Sequence, residues 1–144
     1  MIAIGNDHAA VELKDFVVGL LKDMGYEVKD FGCGAGEKCD YPDKAKEVAE
    51  AIVSGECEKG ILICGTGVGM SIAANKVKGI RAAVCSDEFS ARMCAAHNNA
   101  NILCFGQRVV GMGTAENLVK AWLGTEFEGG RHSGRVDKIM AIEN

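Results

Sequence analysis

No apolar stretch in this 144-residue sequence approaches the roughly 18 residues needed to span a bilayer. Its N-terminus, MIAIGNDHAA, also lacks the basic, apolar and small-residue zones of a signal peptide. Basic residues are not in excess: 16 Lys and Arg face 20 Asp and Glu, for a net charge of −4. That balance excludes a basic nucleic-acid stripe and a polybasic membrane segment, so any bound anion must be held by a local site. The cysteines number seven, an odd count, and form no CxxC pair. This argues against a disulfide framework and a structural zinc site, and most of the thiols read as small hydrophobes filling a core. Proline occurs once, and there is no fixed-period repeat, linker or low-complexity segment. Together these absences predict a cytoplasmic protein with no membrane or nucleic-acid partner.

What is present is an alternation of short apolar runs with helical patterns. With 48% hydrophobic residues the chain can bury one core and has no room for two, which predicts a single domain over 1–144. IAIGN (2–6), YEVKDF (26–31), GILIC (60–64), RAAVC (81–85) and NILCF (101–105) read as strands. A helical pattern follows each of them: after the first it runs from His8 to Gly25, and after the second it opens with Pro42 in its first turn. The tail from Gly129 reads as a last helix despite Gly134. Parallel strands need crossover helices, and those crossovers are right-handed. The expected fold is therefore α/β, a three-layer αβα sandwich around a Rossmann-like five-stranded parallel sheet, with ligands bound beyond the carboxyl ends of the strands.

The stretch GILICGTGVGMS places Cys64 at a strand end, at the lip of a glycine loop that leads into a helix. Backbone N–H groups in such a turn form a nest for developing negative charge, and an electropositive turn suits a thiolate base or nucleophile. The same cysteine also reads as the end of a buried strand. Several related motifs do not fit. The third glycine of a dinucleotide fingerprint is missing, no Walker lysine follows, and Met70 stands where a cysteine phosphatase carries its arginine. Asp7 and His8 follow the first strand, Tyr41 ends the second loop, and His97, Asn98 and Asn99 form a polar turn before the last strand. Arg131 and Arg135 are four apart, so a helical tail puts both on one face. Singly, each has an ordinary reading as helix cap, half-buried ring, helix stop or solvated face.

NDHAA, DYPD, CGTGVGMSIAANKVKGIRAA, AHNNANIL, FGQR and the terminal R-H-x-G-R, in this order through nearly the whole chain, resemble the ribose/galactose isomerase family. Within that family the resemblance is to the B-type ribose-5-phosphate isomerases. It implies a metal-free, cofactor-free aldose–ketose isomerisation of D-ribose 5-phosphate and D-ribulose 5-phosphate in the pentose phosphate pathway, by a homodimer with sites at the subunit interface or by a tetramer. Carried over by position, it makes Cys64 the base. Gly65, Thr66, Gly67, Val68, Gly69 and Met70 form the enediolate loop, and Asp7, Thr66 and His97 assist ring opening and hydroxyl proton transfer. Tyr41 and Asn98 then hold the sugar, and His8, Arg108, Arg131 and Arg135 hold the phosphate. Relatives acting on galactose 6-phosphate or allose 6-phosphate keep a six-carbon substrate open, and a binding module without turnover is the reading of a different class.

Sheet direction adds a constraint of its own. Asp7 and Cys64 follow their strands, whereas His97 precedes the last one. A five-residue strand rises about 16 Å, too far for a direct hydrogen bond between the two sheet edges within one chain, so if His97 serves this site, as the resemblance implies, a second copy must deliver it.

Overall fold

The computed structural model describes residues 1–144. Its five strands are β1 (Ile2–Asn6), β2 (Val28–Asp30), β3 (Lys59–Cys64), β4 (Ala82–Val84) and β5 (Ile102–Gly106). The helices are α1 (Val11–Asp23), α2 (Tyr41–Val53), α3 (Val68–Ala74), α4 (Glu88–Ala96), α5 (Met112–Leu123) and α6 (Arg131–Ala141). All strand pairs are parallel, in the order β2-β1-β3-β5-β4. Every crossover carries a helix, as the alternation predicts.

The order of the strands sorts the helices onto two faces. Steps to the right along the sheet, from β2 to β3 and from β3 to β4, put α2 and α3 together on one face. Returns to the left put α1 and α4 on the other, where α5 lies between them, as right-handed crossovers require. The two faces bury separate cores. Ile4, Ile61, Ile63, Leu103 and Phe105 pack against α1, α4 and α5, around the fully buried Trp122. Ala3, Leu62, Cys64, Ile102 and Cys104 pack against α2 and α3. The alternation along β3 and β5 is the two-residue period of a strand buried on both sides, which is why both read as unbroken apolar runs.

Some boundaries differ from the sequence reading. Helix α1 starts at Val11 rather than His8, because the Asp7 carboxylate accepts the Ala9 N–H at 3.0 Å and holds residues 7–10 in a turn. Asp7 thus shapes the loop and does not cap the helix. The edge strands β2 and β4 are three residues each, shorter than their apolar runs, since an edge has a pairing neighbour on one side only. Pro42 does sit in the first turn of α2, and α6 is helical through Gly134.

β5 lies unusually close to the loop after β3. Cys64 is in register with Gly106, and the N–H groups of Gln107 and Arg108 donate to the carbonyls of Cys64 and Gly65 at 2.9 and 3.0 Å. A Cβ on Gly106 would lie 2.4 Å from both the Gly65 carbonyl oxygen and the Thr66 Cα. Gly67, at φ +83°, faces the Phe105 backbone at 2.7 Å in the same sense. Neither neighbour is a flexible side chain that can swing away. Gly106→Ala is therefore expected to cost about 1–3 kcal/mol of stability and to shift the amide resonances of residues 64–68. Gly113→Ala, in α5 with open space around it, is expected to be neutral or slightly stabilising. Equal melting temperatures for the two variants would show that this close approach is not a constraint.

Candidate active site

Three strand ends meet at one edge of the sheet. Asp7 and His8 follow β1, the 65–67 loop follows β3, and Arg108 follows β5; Tyr41, in the first turn of α2, leans over them. Together with Cys64, Val68, Gly69 and Ile72 they line an open cleft of about 570 Å³. This is the carboxyl edge, where the expected site lies.

Each group is held by its local structure. Asn6, fully buried at the end of β1, donates to the Cys33 carbonyl and accepts the Cys33 N–H at 3.1 Å, which ties the 32–40 loop to the strand that delivers Asp7. His8 places Nδ1 3.2 Å from the Cys39 carbonyl. A carbonyl only accepts, so Nδ1 carries the hydrogen and Nε2 is left free for a ligand. The Tyr41 ring lies against the first turn of α3, where a Cβ on Gly69 would come within 2.5 Å of Cε1.

The loop itself has the anatomy of an anion cradle. The Gly67 N–H donates to Cys64 Sγ at 3.1 Å, and the Val68 N–H donates to Thr66 Oγ1 at 3.2 Å. The N–H groups of Gly65, Thr66, Gly69 and Met70 have no partner in the chain. Four free donors in six residues, next to a sulfur, is an arrangement that stabilises a small anion. Met70 is fully buried in the α2–α3 core and does not line the cleft, so the free donors that open onto it are those of Gly65, Thr66 and Gly69. Burial also pushes the neighbouring Cys104 thiol well above its ordinary range, and drives Cys33 up to about 12. Neither of those lines the cleft, and Cys64 is the one cysteine that does.

The remaining candidates lie elsewhere. Residues 97–101 enter β5 at its amino end, and from Ile102 to Gly106, level with Cys64, the strand rises about 13 Å. His97 caps the C-terminus of α4 and stacks on His132, with ring centroids 4.2 Å apart and planes 11° from parallel. Arg131 and Arg135 are exposed on α6, and Asn98 lines a second, mostly apolar cleft of about 450 Å³ with Ile80, Ile139 and Ile142. One chain thus assembles Asp7, His8, Tyr41, Cys64, Thr66 and Arg108, and it gathers His97, Asn98, Arg131 and Arg135 toward the opposite edge. Sequence reasoning did not single out His132 or Glu128. Nothing along the chain signals that the imidazole of the R-H pair at 131–132 meets another one 35 positions upstream.

The profile of the ribose/galactose isomerase family matches residues 2–139. The chain is 54% identical over 142 residues to the ribose-5-phosphate isomerase B of Escherichia coli K12, covering 99% of this chain and 95% of that one. It is 47% identical over 144 residues to the D-erythrulose-4-phosphate isomerase of Pectobacterium atrosepticum, with coverage of 99% and 95%. Among solved structures, the ribose-5-phosphate isomerase B of Clostridium thermocellum superposes with a TM-score of 0.96 at 57% identity, covering 99% of this chain and 96% of that one.

The histidine pair generates a pH prediction. Burial first, then the charges of His97 and Arg131, hold the His132 pKa below its ordinary 6.5. A histidine depressed in the folded state takes up its proton more readily when unfolded, so stability falls as pH drops through 6.5 toward the folded value and levels off below it. His132→Asn is expected to flatten this acid-side slope in denaturant titrations between about pH 7 and 5. An unchanged slope would assign it to other groups.

Proposed function

Since the chain belongs to the ribose/galactose isomerase family, we propose that it interconverts D-ribose 5-phosphate and D-ribulose 5-phosphate through an enediolate, with Cys64 as the base. The observation that carries this reading is the juxtaposition of one cleft-lining thiol with the unpartnered backbone N–H groups of Gly65, Thr66 and Gly69. A proton beside a carbonyl is weakly acidic, and removing it takes both a base and donors for the oxygen that becomes charged. The stretch 64–70 supplies both.

In this reading Asp7, Thr66 and His97 open the furanose ring. The Cys64 thiolate then takes the proton from C2 of the open-chain aldose, and the free N–H groups of the loop meet the charge that develops on O1. The proton returns from sulfur to C1 while the O2 hydroxyl proton passes to O1, which gives the ketose and regenerates the thiolate. The Gly67 N–H fixes the sulfur and gives its charge a donor. Tyr41 and Asn98 hold the sugar, and His8, Arg108, Arg131 and Arg135 hold the phosphate. The phosphate lies remote from the reacting carbons, so its binding energy serves to position them.

His97, Asn98, Arg131 and Arg135 reach the Cys64 cleft only from a second copy of the chain, so the working unit in this proposal is a homodimer with two composite sites. A two-fold axis generates both sites from one contact. The chemistry requires no metal, and the compartment we propose is the cytoplasm.

The test is turnover by the purified chain, treated with a chelator, on a panel of four-, five- and six-carbon aldose phosphates. The panel includes the four-carbon sugar because of the relative named for erythrulose 4-phosphate. Ribose 5-phosphate is expected to be preferred. Preference for another length would reassign the substrate, and binding without turnover of any would make the chain a binding module. Loss of activity on chelation, restored by a divalent ion, would overturn the metal-free mechanism. Cys64→Ala is expected to lower kcat by about 100-fold or more with substrate binding retained. Arg131→Ala and Arg135→Ala should act mainly on KM, by about 10-fold or more each. Near wild-type turnover by Cys64→Ala would return the thiol to the core.

A further inference from the structure

At the edge of the molecule away from Cys64, three side chains from two segments point their donor atoms into one gap. His97 ends α4, His132 lies in the first turn of α6, and Glu128 comes from the coil between α5 and α6. The Glu128 N–H donates to the Ala96 carbonyl at 3.0 Å, which fixes that coil against the end of α4. Glu128 Oε1 stands 3.8 Å from His97 Nε2 and 3.6 Å from His132 Nε2. Both separations exceed hydrogen-bond length, so the carboxylate faces two imidazoles without bonding to either. All three donor atoms lie within 4.8 Å of one another.

We propose that His97, Glu128 and His132 form a binding site for a borderline divalent transition-metal ion of the zinc type, and that occupancy of this site inhibits the enzyme. Two histidines and a carboxylate are a familiar three-ligand set for Zn²⁺, with bonds of about 2.0–2.2 Å and a fourth position left open. A tetrahedral centre with such bonds spaces its donors about 3.3 Å apart, so the Glu128 edges need to close by only a few tenths of an ångström. The larger adjustment is in the rings. An ion lies in the plane of each imidazole it binds, and two stacked rings must splay to share one. The half-exposed His97 side chain is free to make that turn. Arg131 and Arg135 on the same helix oppose any cation here. The site therefore selects ions with high intrinsic affinity for imidazole, Zn²⁺ and Cu²⁺, over Mg²⁺ or Ca²⁺.

Binding rests on this geometry alone. The inhibition rests on the proposed role of His97, because a metallated Nε2 neither gives nor takes a proton during ring opening. The site would thus act as a brake on an enzyme whose own chemistry is metal-free.

The probe is Co²⁺ titrated into the full-length, reduced protein, followed by its visible absorption, with Zn²⁺ competition giving the zinc affinity. One ion per chain is expected, with a spectrum that lacks thiolate-to-cobalt charge transfer. Affinity should fall at least about 10-fold in His132→Ala and in Glu128→Gln, a conservative change at an exposed position, and stay unchanged in Cys64→Ala. Zn²⁺ should inhibit wild-type turnover reversibly on addition of chelator, and should inhibit His132→Ala less. Wild-type affinity in both ligand variants, a thiolate band, loss of binding in Cys64→Ala or no saturable binding would each overturn the site. Stoichiometric, ligand-dependent binding without inhibition would uphold the site and overturn the role assigned to His97.

Discussion

The contact between the backbone of β5 and the glycine loop after β3 fixes the rest of the site. Gly106 and Gly67 lie where a Cβ would meet main-chain atoms at 2.4–2.9 Å, and two hydrogen bonds from Gln107 and Arg108 close the seam. That seam holds residues 65–67 in a tight turn, which leaves four N–H groups without partners and brings the Gly67 N–H onto the sulfur. Unpartnered backbone donors are costly unless they face water or a ligand. Gly65, Thr66 and Gly69, which carry three of them, line an open cleft, so the local cost is tolerable there and those donors stay ready for an anion. The same seam carries Arg108 to the cleft wall, so one packing constraint positions the thiol, the donors and a cation together.

Strand direction is the second constraint. A parallel sheet has one edge where all strands end and another where all begin, and chemistry at the first is out of reach of groups at the second. Asp7, Cys64 and Arg108 lie at the first edge, His97 and Asn98 at the second. The composite site we propose therefore takes one set from each of two chains. Helix α6 belongs to the same logic. Gly129 and Gly130, at φ +68° and +58°, turn the chain so that α6 leaves the core with Arg131 and Arg135 exposed.

Much of this was legible in the sequence, for identifiable reasons. β1, β3 and β5 are buried on both faces, and their apolar runs mark them; the glycine loop is visible because so many glycines sit within a few residues of a strand end. The edge strands β2 and β4 were legible as apolar runs and less so in extent, because pairing on one side ends sooner than hydrophobicity does. The strand order was not legible. The alternation of strands and helices requires a crossover but does not say that the one through α3 skips a place that β5 later fills. Asp7 was visible as polar at a strand end, but its carboxylate holds a turn with Ala9, so α1 starts later than the pattern suggests. The meeting of His97 with His132 and Glu128 was hidden for the same reason as the strand order, since it joins segments far apart in the chain.

In the proposed dimer each site draws Cys64 from one chain and His97 from another. Subunit exchange between Cys64→Ala and His97→Ala proteins, each inactive alone, tests it most directly. A mixed dimer then holds one site with both substitutions and one with neither. Random reassortment of equal amounts makes half the dimers mixed, so the account predicts recovery of roughly a quarter of wild-type activity. No recovery, with exchange demonstrated independently by mass spectrometry of tagged chains, would place both residues in one chain's site and contradict the account.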